Sequence, residues 1–278
     1  MRQLVLTADD FGAAVEVNDA VERAHRQGIL TAASLMVSGR AAADAVARAR
    51  AMPGLRVGLH LVLVEGRPVL PPRAVPDLVD GDGKFLNDMA RLGATIFLFP
   101  KARAQLEAEV EAQFAAFAAT GLGLDHVNAH KHFHLHPTIA AAIVRIAPKY
   151  GTRAVRVPLE PAAILSRIEP IRQSATSLLA APFAHALARR FRRAGMMAPA
   201  RVFGLRWSGA MTRSRLKGLV AHLPEGLSEI YLHPASGPYA GSAPGYAYRE
   251  ELLALTDAEL PPLIAQRHIR LGGYSDFL

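Results

Sequence analysis

The sequence predicts an α/β protein built as an irregular (β/α) barrel. Three observations carry that expectation. Short β-like runs alternate with helical patterns, which implies βα units and a mostly parallel sheet. Several of those runs end in a polar or ionisable residue: Asp9 and Asp10, His60, His130, Arg156 and His233. In a barrel such strand ends gather on one face, where active sites form, which favours a barrel over an open doubly wound sheet. Finally, 278 residues, 51% of them hydrophobic, are enough to bury a core of that size.

The elements follow in order. Leu4-Val5-Leu6 is the first strand and runs out at Thr7-Ala8-Asp9-Asp10. A helix covers Val15 to Gln27 and stops at Gly28. Ala33 to Val37 is the second strand, followed by an alanine-rich helix that ends before Pro53-Gly54. Arg56 to Val62 is the third strand. The Pro/Gly/Asp-rich stretch from Glu65 to about Lys84 is too long for an ordinary connection and is expected to be functional. After Lys101 a helix presents Leu106, Val110, Phe114 and Phe117 on one face and ends at Gly121. Leu124 to Ala129 is the fourth strand. Pro137 opens a helix lined by Ile139, Ile143 and Ile146. Ala154 to Pro158 and Glu229 to His233 read as further strands. No internal repeat or linker divides the chain, so residues 1–278 read as a single domain with a helical insertion over about 164–199.

Composition narrows the function classes. There is no cysteine, which excludes disulfides, thiolate metal ligands and a cysteine nucleophile. That absence fits a reducing compartment. The opening MRQLVLTADDFG lacks the apolar core and cleavage site of a secretory signal, and no apolar run is long enough to span a bilayer. A cytoplasmic location is expected. The net charge of +8 could suit nucleic acid or an anionic membrane, but no nucleic-acid motif accompanies it, so nucleic acid is not an expected partner. The segment Thr176 to Gly195 puts apolar residues ahead of an arginine cluster. It reads either as a peripheral contact at the inner face of the cytoplasmic membrane or as a helix packed on the barrel with its arginines solvated. Pro182 is expected to break that helix near its start.

The chemistry is concentrated in a few places. Asp9 and Asp10 are adjacent carboxylates at a strand end, an arrangement that costs free energy unless a metal ion or a shared proton relieves it. The string DHVNAHKHFHLHP places His126, His130, His132, His134 and His136 at alternate positions. If the extended conformation continued, all five imidazoles would share a face. Imidazole ligates zinc and similar ions, and five rings exceed any one coordination shell, so some must hold ligands in place or touch substrate. His60 would complete an Asp10–His60–His130 facial set with open positions for water and substrate. His233 also ends a strand, where a histidine can deliver a proton to a leaving amine.

TADDFG, GLHL, the histidine string and the late YLHP resemble the YdjC-like carbohydrate deacetylases, in the same order and over essentially the whole chain. The resemblance implies an irregular barrel related to the polysaccharide deacetylases, one divalent metal ion (zinc or magnesium), and removal of N-acetyl groups from an amino sugar. It assigns Asp10, His60 and His130 as metal ligands, Asp9 as catalytic base and His233 as general acid. His132, His134, Asn128 and Arg156 fall to substrate binding or support of those groups. Arg156 would orient Asp9, bind a substrate oxygen, or lie at the surface. Asn128 departs from the pattern, because many members carry Asp there; its amide can still hydrogen-bond. GLHLVLVEGRPVLPP, DLVDGDGKF and VNAHKHFHLHPTIA resemble the members associated with hopanoid biosynthesis, which implies an N-acetylglucosaminyl hopanoid as substrate. Alternatives are a chitooligosaccharide substrate, against which stands the single tryptophan, Trp207, and another barrel hydrolase such as a phosphoesterase, against which stands the shortage of strand-end carboxylates.

Overall fold

The computed structural model describes residues 1–170 and 175–278, with side chains placed outside 171–181. The strands are β1 (Arg2–Phe11), β2 (Ala32–Leu35), β3 (Arg56–Leu61), β4 (Leu124–Ala129), β5 (Arg201–Phe203), β6 (Gly226–Leu232) and β7 (Ile269–Leu271). The helices are α1 (Val15–Gln27), α2 (Ala42–Arg50), α3 (Met89–Leu98), α4 (Pro100–Ala119), α5 (Pro137–Ile146), α6 (Ala162–Leu165), α7 (Ala175–Arg193), α8 (Arg213–Ala221), α9 (Tyr248–Leu255) and α10 (Leu260–Gln266).

Every named strand pair is parallel, in the order β4-β3-β2-β1-β6-β5, and β7 lies against the start of β1. β1 is central and reads Leu4-Val5-Leu6 with no exposure at all, as a parallel strand covered on both faces should. The expected strand over Ala154–Pro158 is not a regular one, and it has a different task. Arg156 N donates to Val127 O of β4, and Val202 N of β5 donates to Leu159 O. The two edges of the curled sheet are thereby joined through single bridges, which makes the barrel irregular. Parallel edges left open would expose unpaired backbone groups. Two short strands, β5 and β7, were not expected from the sequence; three residues are too few to show a period.

The long connection after β3 is firmly held. α4 buries a polar row beside its apolar one: Gln105, Glu109 and Gln113, spaced by one helical turn. Glu109 accepts from Val69 N and Leu70 N, Gln105 from Asp77 N, and Gln113 bonds both N–H and C=O of Val62. Val75, Leu78 and Phe85 are buried and anchor the loop in the core, whereas Val69, Pro71 and Pro72 are exposed.

Within the 164–199 stretch, α7 is a helix, and Pro182 lies inside it and does not end it. Ala184, Leu187, Ala188 and Phe191 form a buried stripe while Arg189, Arg190, Arg192 and Arg193 are exposed. In that half the helix packs on the protein with its arginines in solvent. The side chains of Thr176 to Ala181, the apolar half of the proposed membrane segment, lie outside the described residues. Among the described residues no helix is long and apolar enough to cross a membrane.

Candidate active site

The carboxyl ends of β1, β3, β4 and β6 converge. Ala8 is level with Leu232, which puts Asp9 beside His233, and His60 is level with Asn128. Successive side chains on a strand point to opposite faces, so Asp9 and Asp10 could not both face the site on a regular strand. β1 solves this with one extra residue. Its pairing with β2 slips between Ala8 and Phe11, and Asp10 takes a left-handed backbone, φ 62°. Asn18 of α1 holds the turn that follows, accepting from Gly12 N at 2.8 Å.

Asp10, His60 and His130 offer ligand atoms that lie within 4.8 Å of one another. His60 Nε2 is 3.3 Å and His130 Nδ1 is 3.2 Å from the same oxygen, Asp10 Oδ1. His60 Nε2 is buried and makes no hydrogen bond, a costly state for a ring nitrogen unless something else takes its lone pair. Burial alone would raise the Asp10 pKa, but His130 and His60 hold it well below the ordinary carboxylate range. Burial lowers the His130 pKa, yet Asp10 and Glu65 outweigh it and push the imidazole up to about 9. A carboxylate and two imidazoles of this kind, with an orphaned nitrogen at their centre, fit a divalent ion in a mixed N/O set.

Asp9 is separate from this trio. Arg156 grips it through both oxygens, at 2.5 and 3.0 Å, and Asn128 Nδ2 adds a third contact at 3.3 Å. Burial works against the charge of Asp9, but Arg156, with His60 and His233, keeps it ionised. Arg156 is fully buried and bonds Glu229 as well, at 2.6 and 3.0 Å. It is neither a surface residue nor part of the cavity wall; it positions Asp9. Glu229 in turn accepts from Thr7 Oγ1 and from the Tyr274 hydroxyl.

The five-histidine string does not share a face. The strand ends at Ala129, and Lys131 and His132 both adopt left-handed backbone, φ 54° and 53°, within a 3-10 turn. His126 is buried below the site between Asp125 and Ser34, stacked on Tyr274. His134 is buried against Arg156 O, and burial drops its pKa to about 3. His136 caps α5 by accepting from Thr138 N. Only His130 and His132 reach the cavity, and His132 bonds the Tyr231 hydroxyl at 2.8 Å.

The cavity has a volume of about 540 Å³. Asp9, Asp10, His60, His130, His132 and His233 line its polar floor. His233 presents an unpartnered Nδ1, and its backbone N is fixed by the buried Glu251. The walls bring together Tyr231, Tyr239, Tyr246 and Tyr248, none of which the sequence reading singled out. Trp207 is buried elsewhere, bonded to Glu169. Glu65 was also missed. It joins His130 and Lys131 across the mouth, and those partners drop its pKa to about 2. Its signal was a lone carboxylate at the start of the long loop, too weak to weigh without the fold.

A curled parallel barrel with an acid–imidazole cluster at the carboxyl ends of its strands defines a hydrolytic barrel enzyme. The chain belongs to the YdjC-like family, whose profile matches residues 3–266. It is 29% identical over 281 residues to a carbohydrate deacetylase of Geobacillus stearothermophilus, covering 99% of this chain and 98% of that one. A human carbohydrate deacetylase is 30% identical, over 99% and 90% of the two chains. One from Brevibacillus brevis is 36% identical over 157 residues, which span 56% of this chain and 58% of that relative. A solved structure from Enterococcus faecalis, of a protein named for cellobiose-phosphate cleavage, shares the fold with a TM-score of 0.77. It covers 99% of this chain and 98% of its own at 23% identity.

Proposed function

We propose that this chain is a metal-dependent carbohydrate deacetylase that hydrolyses the N-acetyl group of an N-acetylglucosamine-type sugar. The observation that carries the reading is the orphaned His60 Nε2, aimed at the oxygen that Asp10 shares with His130, beside an ionised Asp9 that belongs to no ligand set. Asp10, His60 and His130 would hold the ion. When bound, such an ion acidifies a water molecule and polarises an acetyl carbonyl.

The remaining work falls to the protein. Asp9 accepts the proton of the attacking water. Burial works against its charge, but the Arg156 guanidinium beside it keeps it ionised and therefore free of a proton before the water attacks. Arg156 fixes both oxygens, so the carboxylate cannot swing into the ligand set. His233 donates a proton to the departing amine, and acetate and a free amino sugar result. His132, held by Tyr231, is placed to meet substrate, while His134, Asn128 and Arg156 support from below.

For the sugar's carrier, the motif resemblance supports an N-acetylglucosaminyl hopanoid. The tyrosine wall favours a second reading, a chitooligosaccharide, because sugar rings stack on aromatic faces. The experiment is a direct comparison of diacetylchitobiose with N-acetylglucosaminyl-bacteriohopanetetrol, following loss of one acetyl group by mass spectrometry. Turnover of the lipid alone supports the hopanoid. Turnover of the disaccharide alone assigns the enzyme to free sugars, and phosphate release from phosphoesters with no acetate overturns the deacetylase reading.

A further inference from the structure

Three consecutive large apolar residues stand out of the surface at the corner between α3 and α4. Phe97, Leu98 and Phe99 are 55%, 64% and 59% exposed. A soluble surface normally scatters such residues singly. The corner is also built to hold them out. Pro100 opens α4 immediately, and Arg103 folds back to donate to Ile96 O and Phe97 O, closing the carbonyl end of α3.

The corner has a basic setting. Arg91 and Lys101 are exposed and enter no ion pair among the described residues. Phe97 packs edge-on against His136, and Arg190 of α7 reaches Pro137 O, the next residue, at 3.2 Å. Arg190 therefore borders the same corner. The flanking acids in sequence are both occupied: Asp88 caps α3, and Glu107 pairs with Arg145.

The corner also belongs to the site face. His136 ends the turn that carries His130 and His132. Met89, at the other end of α3, lines the cavity, and a ten-residue helix spans about 15 Å.

We propose that the Phe97–Phe99 corner, with Arg91, Lys101 and Arg190, docks on the headgroup region of an anionic bilayer and turns the cavity mouth toward the membrane. Apolar side chains that enter the interface with cations beside them are the general recipe for peripheral attachment. The cations select an anionic surface over a neutral one, and over a second copy of this chain, which carries the same net charge of +8. This goes beyond the proposed chemistry, and its test does not read turnover.

The test is flotation with vesicles of equal parts phosphatidylglycerol and phosphatidylcholine, against vesicles of phosphatidylcholine alone. The full chain should float with the anionic vesicles only. The triple variant Phe97→Ser, Leu98→Ser, Phe99→Ser should lose at least ten-fold in partitioning while keeping the wild-type Tm. Because these side chains are outside the core, a second variant, Phe99→Trp, reports directly: its emission should shift to the blue on anionic vesicles. Failure of the wild type to float, wild-type flotation by the triple variant, an unshifted Phe99→Trp emission, or lipid-free dimerisation abolished by the triple substitution would each overturn the proposal.

Discussion

Asn128 Oδ1 lies 2.6 Å from His60 Nδ1, and the direction of that hydrogen bond decides which nitrogen of His60 faces the site. Asp9 is ionised and can only accept, so the Asn128 amide must turn its NH2 toward Asp9, at 3.3 Å. Its carbonyl then faces His60, which must donate from Nδ1. The lone pair of His60 is left on Nε2, beside Asp10. A carboxylate at this position, the commoner residue in the resemblance, would serve His60 equally but would repel Asp9.

Replacing Asn128 separates those two duties. Asn128→Ala should weaken divalent-metal binding by about 10–100-fold, the usual cost of losing the partner of a metal-ligating histidine. Asn128→Asp should keep metal binding near wild type while turnover falls. Titration calorimetry with the divalent ion, alongside acetate release, checks both. Equal metal affinity in wild type and Asn128→Ala would remove the tautomer argument.

Asp9→Asn should cut turnover by about 10²–10⁴-fold with metal content unchanged, whereas His60→Ala should lose both. The Asn variant also leaves Arg156 buried with Glu229 as its one remaining carboxylate. Stability should drop by about 3 kcal/mol, visible in urea denaturation. Substantial residual activity in Asp9→Asn would mean another group takes the proton.

Asp125 is a structural counterpart of Asp9 at the base of the barrel. It accepts from His126 Nδ1, Tyr274 N, Ser275 N and Ser275 Oγ. Burial raises its pKa, but His126 and Ser275 outweigh that and hold it at about 2 against an ordinary 3.8. A depressed carboxylate stabilises the fold above its unfolded pKa and loses that contribution as pH falls through its folded one. The shift corresponds to about 2 kcal/mol. Asp125→Ala should therefore be destabilised at pH near 6, and its deficit against wild type should shrink toward pH 2, as read by chemical denaturation.

Gly58 shows how tightly β3 is set. A Cβ there would sit 2.5 Å from the His126 ring, which cannot retreat because Tyr274 is stacked on it. Gly58→Ala should cost about 1–3 kcal/mol and, by displacing β3, weaken metal binding at His60 two residues on. A thermal melt and a metal titration on the same sample would show whether the two losses travel together.

Much of this site was legible in the sequence because its members sit at strand ends. Asp9, Asp10, His60, His130 and His233 could be placed there from periodicity alone, and the structure brings all five to one cavity. The histidine string misled because strand periodicity was continued past Ala129, where Lys131 and His132 leave extended backbone. Nothing local in a lysine and a histidine announces a left-handed turn. The Arg156–Glu229 pair joins residues 73 apart through a barrel closure made of single bridges, which have no period to read. The polar row Gln105, Glu109 and Gln113 looks like a solvated helix face until the long loop is laid across it.

The position of β1 has a kinetic consequence. β1 is paired to β6 and β7, whose residues come more than 200 positions later. Contacts so far apart in sequence fold slowly. At ordinary rates of synthesis, roughly 10–40 s separate the emergence of β1 from that of β6. During that interval Leu4, Val5 and Leu6 offer an apolar strand with only one flank covered, a target for chaperones or for aggregation. The aspartates at the tip of β1 are therefore among the first residues made and among the last to be fixed in place.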